Sequence, residues 1–279
     1  MGKALRRAKR VVRGRDTSDG AGVRLKRVIG SPELDHVDPF LLLDEFRSDE
    51  ASDYLAGFPD HPHRGFETVT YMLAGSMEHR DHRGNHGLLV AGSAQWMTAG
   101  RGLVHSEMPK QEDGLMWGFQ LWVNLPASHK MIEPRYQDIP PERIPERRLP
   151  DGTRVRVVAG GDGDLAGPVS GIVTDPLYLD VALPPGTRWE RGVPAGHACV
   201  AYVFEGRVEV GEEGRALEAG ELAVLEGGDT FACGTPSGGR LLLLAARPLN
   251  EPIARYGPFV MNTREEIAQA FADFRAGTF

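Results

Sequence analysis

Two short segments hold the residues whose types and spacing can do chemistry. In Asp60-His-Pro-His-Arg-Gly-Phe-Glu-Thr68, His61 and His63 stand two residues apart, and in Gly102-Leu-Val-His-Ser-Glu-Met108, His105 and Glu107 repeat that spacing. On an extended chain, residues i and i+2 project to the same face, so each pair can converge on one point; a helix would need i, i+4. Pro62 supports the extended form of His61, because the residue before a proline avoids the helical region. Two such pairs on neighbouring strands present three imidazole nitrogens and one carboxylate oxygen to a single cation. Buried His and Glu without partners are costly, and a cation supplies the partner. An octahedral shell of this kind keeps one or two positions open. It suits Fe(II) and also accepts Mn, Co, Ni, Cu or Zn. Open positions imply chemistry or redox sensing, whereas a structural zinc site is closed. With one carboxylate the Fe(II) site carries a net charge of +1, which favours an anionic oxygen ligand. Glu67 lies four residues after His63 and would return to the same face of an unbroken strand, so spacing alone leaves it open as an alternative ligand.

The remaining sequence must supply strands that bring these segments together. Of 279 residues, 41% are apolar and 25% charged, which permits a core and excludes a wholly disordered chain. With 35 Gly and 20 Pro, many turns between short strands are expected. Strand-like runs occur at Thr68–Leu73, Leu88–Val90, Met116–Val123, Val155–Ala159, Leu177–Ala182, Cys199–Phe204, Arg207–Val210, Leu222–Leu225 and Arg240–Ala245. They predict an antiparallel sandwich or barrel. The segment 133–152 contains Pro134, Pro140, Pro141, Pro145 and Pro150, cannot be a central strand, and reads as a linker near residue 140 between two β domains. Leu73-Ala-Gly-Ser-Met77 and Phe204-Glu-Gly-Arg-Val208 resemble each other, as do the runs after Gly92 and Gly220, a faint sign of internal duplication. From Thr263 a helix is expected. Thr263 and Glu266 form a capping box, and Ile267, Ala270, Phe271 and Phe274 make one apolar stripe.

Several other features bear on function. The net charge of −7 does not steer the chain onto nucleic acid or an anionic membrane. No apolar run approaches the roughly 18 residues of a membrane-spanning helix. The basic segment from Lys3 to Arg15 reads as a charged edge strand around Val11 and Val12. Two cysteines, Cys199 and Cys233, are too few for a disulfide framework, so a cytoplasmic location is the default. His79, His82 and His86 fall in a polar, turn-rich stretch and are expected as exposed loop residues near a cavity mouth. His197 has no histidine beside it, so no second metal is expected. Around the two motifs lie Phe58, Phe66, Trp96, Met97, Met108, Trp117, Phe119 and Trp122. Most of these belong to a core, and a few can wall a pocket for a flat aromatic substrate.

The spacing Gly57…His61-x-His63-x3-Glu67-x7-Gly75 is similar to the first cupin motif. Together with FPDHPHRGFETVTY (58–71), QWMTAGRGLVHSEMP (95–109), LWVNLP (121–126) and YGPFVMNT (256–263), it resembles the pirin family of bicupins across nearly the whole chain, more loosely in the C-terminal half. The resemblance implies an all-β bicupin, two antiparallel β-sandwich or jelly-roll barrels with a short C-terminal helix. It implies a metal-binding domain over 1–138 and a metal-free one over 139–279. The metal would be iron, held by His61, His63, His105 and Glu107, with Glu67 as an acceptor that orients a ligating imidazole. Bacterial pirins resemble quercetin 2,3-dioxygenases, which open the central ring of a flavonol with O2 and release carbon monoxide. The implied substrate is then a small aromatic flavonol, with Glu107 as the catalytic base. The alternative is an iron-dependent regulator that binds a protein partner, transcriptional or metabolic. A lyase or isomerase acting on a sugar or keto acid fits less well, because the motifs are flanked by apolar residues and no phosphate-binding glycine loop is present.

Overall fold

Turn-forming residues cut the chain into short antiparallel strands, and the described residues contain one α-helix, α1 (Arg264–Ala276). The computed structural model describes residues 3–279. The first twelve strands are β1 (Arg7–Arg13), β2 (Arg15–Asp19), β3 (Val23–Ile29), β4 (Phe40–Ser48), β5 (Phe58–His63), β6 (Phe66–Ala74), β7 (Ser76–Asp81), β8 (His86–Val90), β9 (Ala94–Thr98), β10 (Leu103–Pro109), β11 (Met116–Asn124) and β12 (Arg135–Ile139). Among the described residues, no helix is long and apolar enough to cross a membrane.

The chain forms two compact units. One comprises Asp16–Gly30, Phe40–Pro141 and Leu249–Phe279; the other comprises the chain up to Arg15, Ser31–Pro39 and Glu142–Pro248. A single cut between residues 138 and 139, expected from the sequence, does not describe this division. The central changeover falls at Pro141/Glu142, and both termini join the unit formed mainly by the opposite half of the chain. Backbone pairing explains the first exchange: β1 pairs with Glu221–Glu226 at the edge of the C-terminal sheet. Arg7 and Lys9 reach Glu226, and Arg13 reaches Glu221. The basic segment is thus a charged edge strand.

The first unit carries both motifs. Its larger sheet has the order β12-β9-β6-β11-β4-β3-β2, and its smaller one β5-β10-β7-β8. β4, β6 and β11 are rich in β-branched, aromatic and leucine side chains, which suit a pleated surface buried on both faces. Register sets Thr70 beside Gln120, and Gln120 beside Asp44, all on one face. Val69, Tyr71, Phe119 and Leu121 alternate onto the opposite face and are fully buried. Apolar contacts link the two sheets through Leu25, Phe46, Met72, Met77, Leu89 and Met116. The proline-rich segment supplies β12 and Glu146–Arg148, each at the end of its sheet, where missing donors do least harm.

In the second unit the interior is filled. Trp189, Phe231, Leu217, Leu241, Leu243, Cys199 and Cys233 belong to one continuous apolar core. The two runs expected at Cys199–Phe204 and Arg207–Val210 are a single strand, Ala198–Val210, bent at Gly206. The suggested duplication has a backbone counterpart: Gly75 and Gly206 have φ of 81° and 67°, and Gly92 and Gly220 have φ of 85° and 89°.

The junction between β5 and β6 is pinned from several sides. Gly65 has φ of 89°, and a Cβ there would lie 2.0 Å from the carbonyl oxygen of Val260. Lys130 is buried and donates from Nζ to the Gly65 carbonyl (2.8 Å), the Val260 carbonyl (3.0 Å) and Asn124 Oδ1 (2.7 Å). Arg64 is buried too. Its guanidinium donates to Asp273 Oδ2 at 2.6 Å and to the Arg101 carbonyl, and lies over the Phe279 ring. α1 therefore braces the first motif segment. It starts at Thr263 with the expected capping box and ends at Gly277 in the left-handed conformation. Ile267 and Ala270 pack on Phe259 and Met261.

Burial pushes the Lys130 ammonium down to about 8 from its usual 10.5. Between those values the unfolded chain binds a proton that the folded protein does not, so this residue's contribution to stability rises with pH across the window. Lys130→Met orphans three acceptors and is expected to cost about 1–3 kcal/mol. Its deficit against the unsubstituted protein, measured by urea unfolding, should widen from pH 8 towards pH 10. A deficit that stays constant would show that Lys130 is not held with lowered proton affinity.

Candidate metal centre

Antiparallel pairing builds the site. On β5 and β10, His61 stands directly opposite His105 and His63 opposite Leu103; an irregularity after His105 then brings Glu107 opposite Phe58. On its other side β10 pairs with β7, which sets Glu107 against His79 and His105 against Asp81. One ligand atom from each of His61, His63 and His105 lies within 4.8 Å of the other two. His61 Nε2 and His63 Nε2 are 3.0 Å apart. The His105 ring centroid is 4.3 Å from that of His61 and 4.9 Å from that of His63.

The proton bookkeeping suits a cation. The Nδ1–H of His61 donates to the Pro59 carbonyl at 2.8 Å, which leaves Nε2 bare and turned to the cluster. His63 and His105 are buried, and burial holds both imidazoles well below their usual proton affinity, reinforced by the neighbouring rings. Neutral rings present lone pairs. His63 makes a backbone hydrogen bond at Pro258 and turns Nε2 to His61 Nε2, while the buried His105 Nε2 has no hydrogen-bond partner in the protein. Converging nitrogen lone pairs without a donor to meet them are costly, and a divalent transition metal removes the cost. These three histidines therefore fit a metal. No other group of three His, Cys, Asp or Glu converges in this way among the described residues.

Glu107 is buried on the wall of the same interior, with Oε1 2.9 Å from the Thr70 hydroxyl. Thr70 also lies 2.7 Å from Gln120 Oε1. Glu67 is turned away. Gly65 breaks the strand, so His63 and Glu67 belong to different sheets and strand periodicity does not carry from one to the other. Phe66 packs against His63 and Thr70 against Glu107, which puts Glu67 on the opposite face of β6. There its carboxylate accepts from the Thr98 hydroxyl at 2.6 Å, and burial raises it to about 7. The expected role of Glu67 as an acceptor for a ligating imidazole is thus corrected.

A second correction concerns the polar histidines. His79 is buried on β7, with Nδ1 3.3 Å from His105 Nδ1. The sequence signal was there: Met77, His79 and Asp81 alternate like the two motif pairs. His82 is exposed on a turn, and His86 lies on β8 with Nε2 2.9 Å from Glu78 Oε1. In the second unit His197 stands 3.7 Å from Asp175.

The histidines open onto a cavity of about 630 Å³, whose lining includes Leu42, Phe46, Phe58, Met77, Trp122, His61, His63 and Glu107. Trp122 stacks edge-on against His63 at 5.2 Å. Of the aromatic candidates, Phe58 and Trp122 face this space, while Phe66, Trp96, Trp117 and Phe119 are core. The polar part of the wall, which the sequence did not reveal, contains Gln120 and the Arg27–Asp44 pair. Arg27 holds Asp44 through two bonds of 3.0 and 2.7 Å, yet burial still lifts this carboxyl to about 6.

An antiparallel β barrel with imidazoles of adjacent strands turned inward defines the cupin class. Comparison with known proteins narrows this. The Pirin family matches residues 22–123, and the Pirin C-terminal cupin domain matches residues 178–279. The chain belongs to the pirin family and is an all-β bicupin. It is 51% identical to a Pirin-like protein of Caulobacter vibrioides over 97% of this chain and 98% of that one. It is 45% identical to Pirin of Homo sapiens over 95% and 90%. Among solved structures, a quercetin 2,3-dioxygenase from Acinetobacter baumannii matches with a TM-score of 0.90 at 35% identity, covering 99% of both chains.

Replacing His61 and His105 together by Ala is expected to abolish metal binding, measured by calorimetric titration with Fe(II) or Co(II), while the fold survives. Full occupancy in that variant would sink the assignment. Glu67→Gln should leave metal affinity within about tenfold, because its contacts lie on the far face of β6, whereas Glu107→Gln should do more damage. If the two reverse in severity, Glu67 is the carboxylate that matters.

Proposed function

We propose that this protein is an iron-dependent dioxygenase that cleaves flavonols such as quercetin with O2. The observation that supports it most is the cavity, where aromatic and aliphatic walls, two of the three clustered histidines and Glu107 face one concave space. Its volume is of the size that takes a small organic ligand, for which about 300–1,000 Å³ is usual. In this reading His61, His63, His105 and Glu107 hold the iron. When bound, the metal supplies Lewis acidity and a path for electrons from an electron-rich substrate to O2.

The protein's own groups then have definite tasks. Glu107 accepts the proton of the flavonol 3-hydroxyl on Oε2, while the Thr70 hydroxyl at Oε1 keeps the carboxylate oriented. Phe58 and Trp122 offer apolar faces to a flat ring system. The alternative, an iron-dependent regulator that binds a protein partner, calls for a surface patch beside the cluster rather than a concave, ligand-sized cavity.

Oxygen uptake by the iron-loaded protein tests the proposal. Quercetin should be consumed, and a flavone without the 3-hydroxyl should not, because the 3-oxygen is the group that must lose its proton. Glu107→Gln should slow turnover more than it weakens metal binding, since an amide retains an oxygen donor but cannot take a proton. Should no 3-hydroxyflavone support oxygen uptake while the site is demonstrably loaded, the dioxygenase reading fails and the regulator becomes the better account.

A further inference from the structure

Three histidines are buried: His63, His105 and His79. The first two belong to the cluster, and His79 has no task in the reaction described above. Its Nδ1 lies 3.3 Å from Nδ1 of His105, and the two rings are tilted at 53° with centroids 5.1 Å apart. Two imidazole nitrogens can bond at that separation only if one carries a proton and the other a lone pair. His79 Nε2 and His105 Nε2 both lack a hydrogen-bond partner, and of the two it is His105 Nε2 that belongs to a ring of the histidine cluster. If it is to bind a cation it must be bare, and a neutral ring then carries its single proton on Nδ1. That proton points at His79, whose Nδ1 must therefore be the acceptor and whose own proton sits on Nε2.

The surroundings hold the His79 ring in place. Tyr136 of β12 packs against it edge-to-face, with centroids 4.7 Å apart at 60°. Glu107 stands opposite it across the β7–β10 pairing, and Asp81 follows two residues on. We propose that His79 is a positioning residue that accepts the Nδ1–H of His105 and so locks that ring with Nε2 free for the metal. The inference rests on the reading that the cluster holds a metal, but not on the identity of the substrate.

Co(II) titration of the full chain followed by visible absorption tests it without any flavonol. His79→Phe keeps the packing on Tyr136 but removes the acceptor. It should weaken Co(II) binding about 10- to 100-fold, the range for partners that orient a ligand, with an absorption spectrum like that of the unsubstituted protein. His79→Asn, whose Oδ1 can take the place of Nδ1, should restore affinity to within a few-fold. Unchanged affinity in His79→Phe overturns the proposal. So does a loss as complete as that of His105→Ala, which would make His79 a ligand, and so does an Asn variant no better than Phe. A second measurement needs no variant: proton–nitrogen correlation spectra of the Zn(II)-loaded protein should place the protons on Nδ1 of His105 and Nε2 of His79, and the reverse tautomers would refute the assignment. An unsubstituted protein that binds neither metal would remove the metal reading and this inference together. Normal metal binding with no flavonol turnover would remove only the dioxygenase.

Discussion

The direct pairing of His61 with His105 across β5 and β10 is the constraint on which the site depends. Cross-strand neighbours in an antiparallel pair hold their Cβ atoms about 5 Å apart, so pairing alone brings two imidazoles into contact. The pleat then adds His63 from the same face of β5, the irregularity after His105 resets Glu107 against Phe58, and regular pairing on the other side sets Glu107 against His79. A one-residue slip would turn these side chains to the other face. Register, more than any individual contact, makes the cluster.

Much of the surrounding structure can be understood as protecting that register. β5 and β6 lie in different sheets, so the chain must turn sharply at Gly65, in a conformation that a side chain would obstruct. The cations of Arg64 and Lys130 secure the two sides of the turn, one reaching Asp273 on α1 and the other the carbonyls of Gly65 and Val260. The C-terminal helix and the hairpin before it, Ala254–Tyr256 paired with Phe259–Met261, are thereby part of the site's support, although neither places a histidine there. This also gives Arg64 and Gly65, within the His-Pro-His-Arg-Gly run, a physical purpose beside that of the histidines.

The two units spend their interiors differently. In one, Trp189, Phe231 and a set of leucines and valines fill the space between strands. In the other, the inner face carries Thr70, Gln120, Asp44 and the clustered histidines, and a cavity remains. Polar side chains cannot close a core without partners, so an interior lined with them stays open to a ligand. The same contrast accounts for the arrangement of aromatic residues: Phe58 and Trp122 face the cavity, Phe66 packs beside them against His63 and Trp122, and Trp96 and Phe119 pack on the opposite face of the larger sheet.

The sequence by itself determined what depends on neighbours along the chain. The i, i+2 spacing, the proline-enforced extension of His61, the charged edge of β1, the capping box at Thr263 and the glycine turns are local, and each was legible. Only the tertiary structure decided what depends on which strands pair. Glu67 reads as a neighbour of His63 until Gly65 sends the two into different sheets. His79 reads as a loop residue because its flanks are polar, yet β7 is covered by β10 and β12 brings Tyr136 onto it. The exchange of the termini between the two units is equally invisible in composition, since it rests on the pairing of β1 with a strand more than two hundred residues away. Strand pairing is a long-range choice, made by complementary faces and registers that no window of sequence contains.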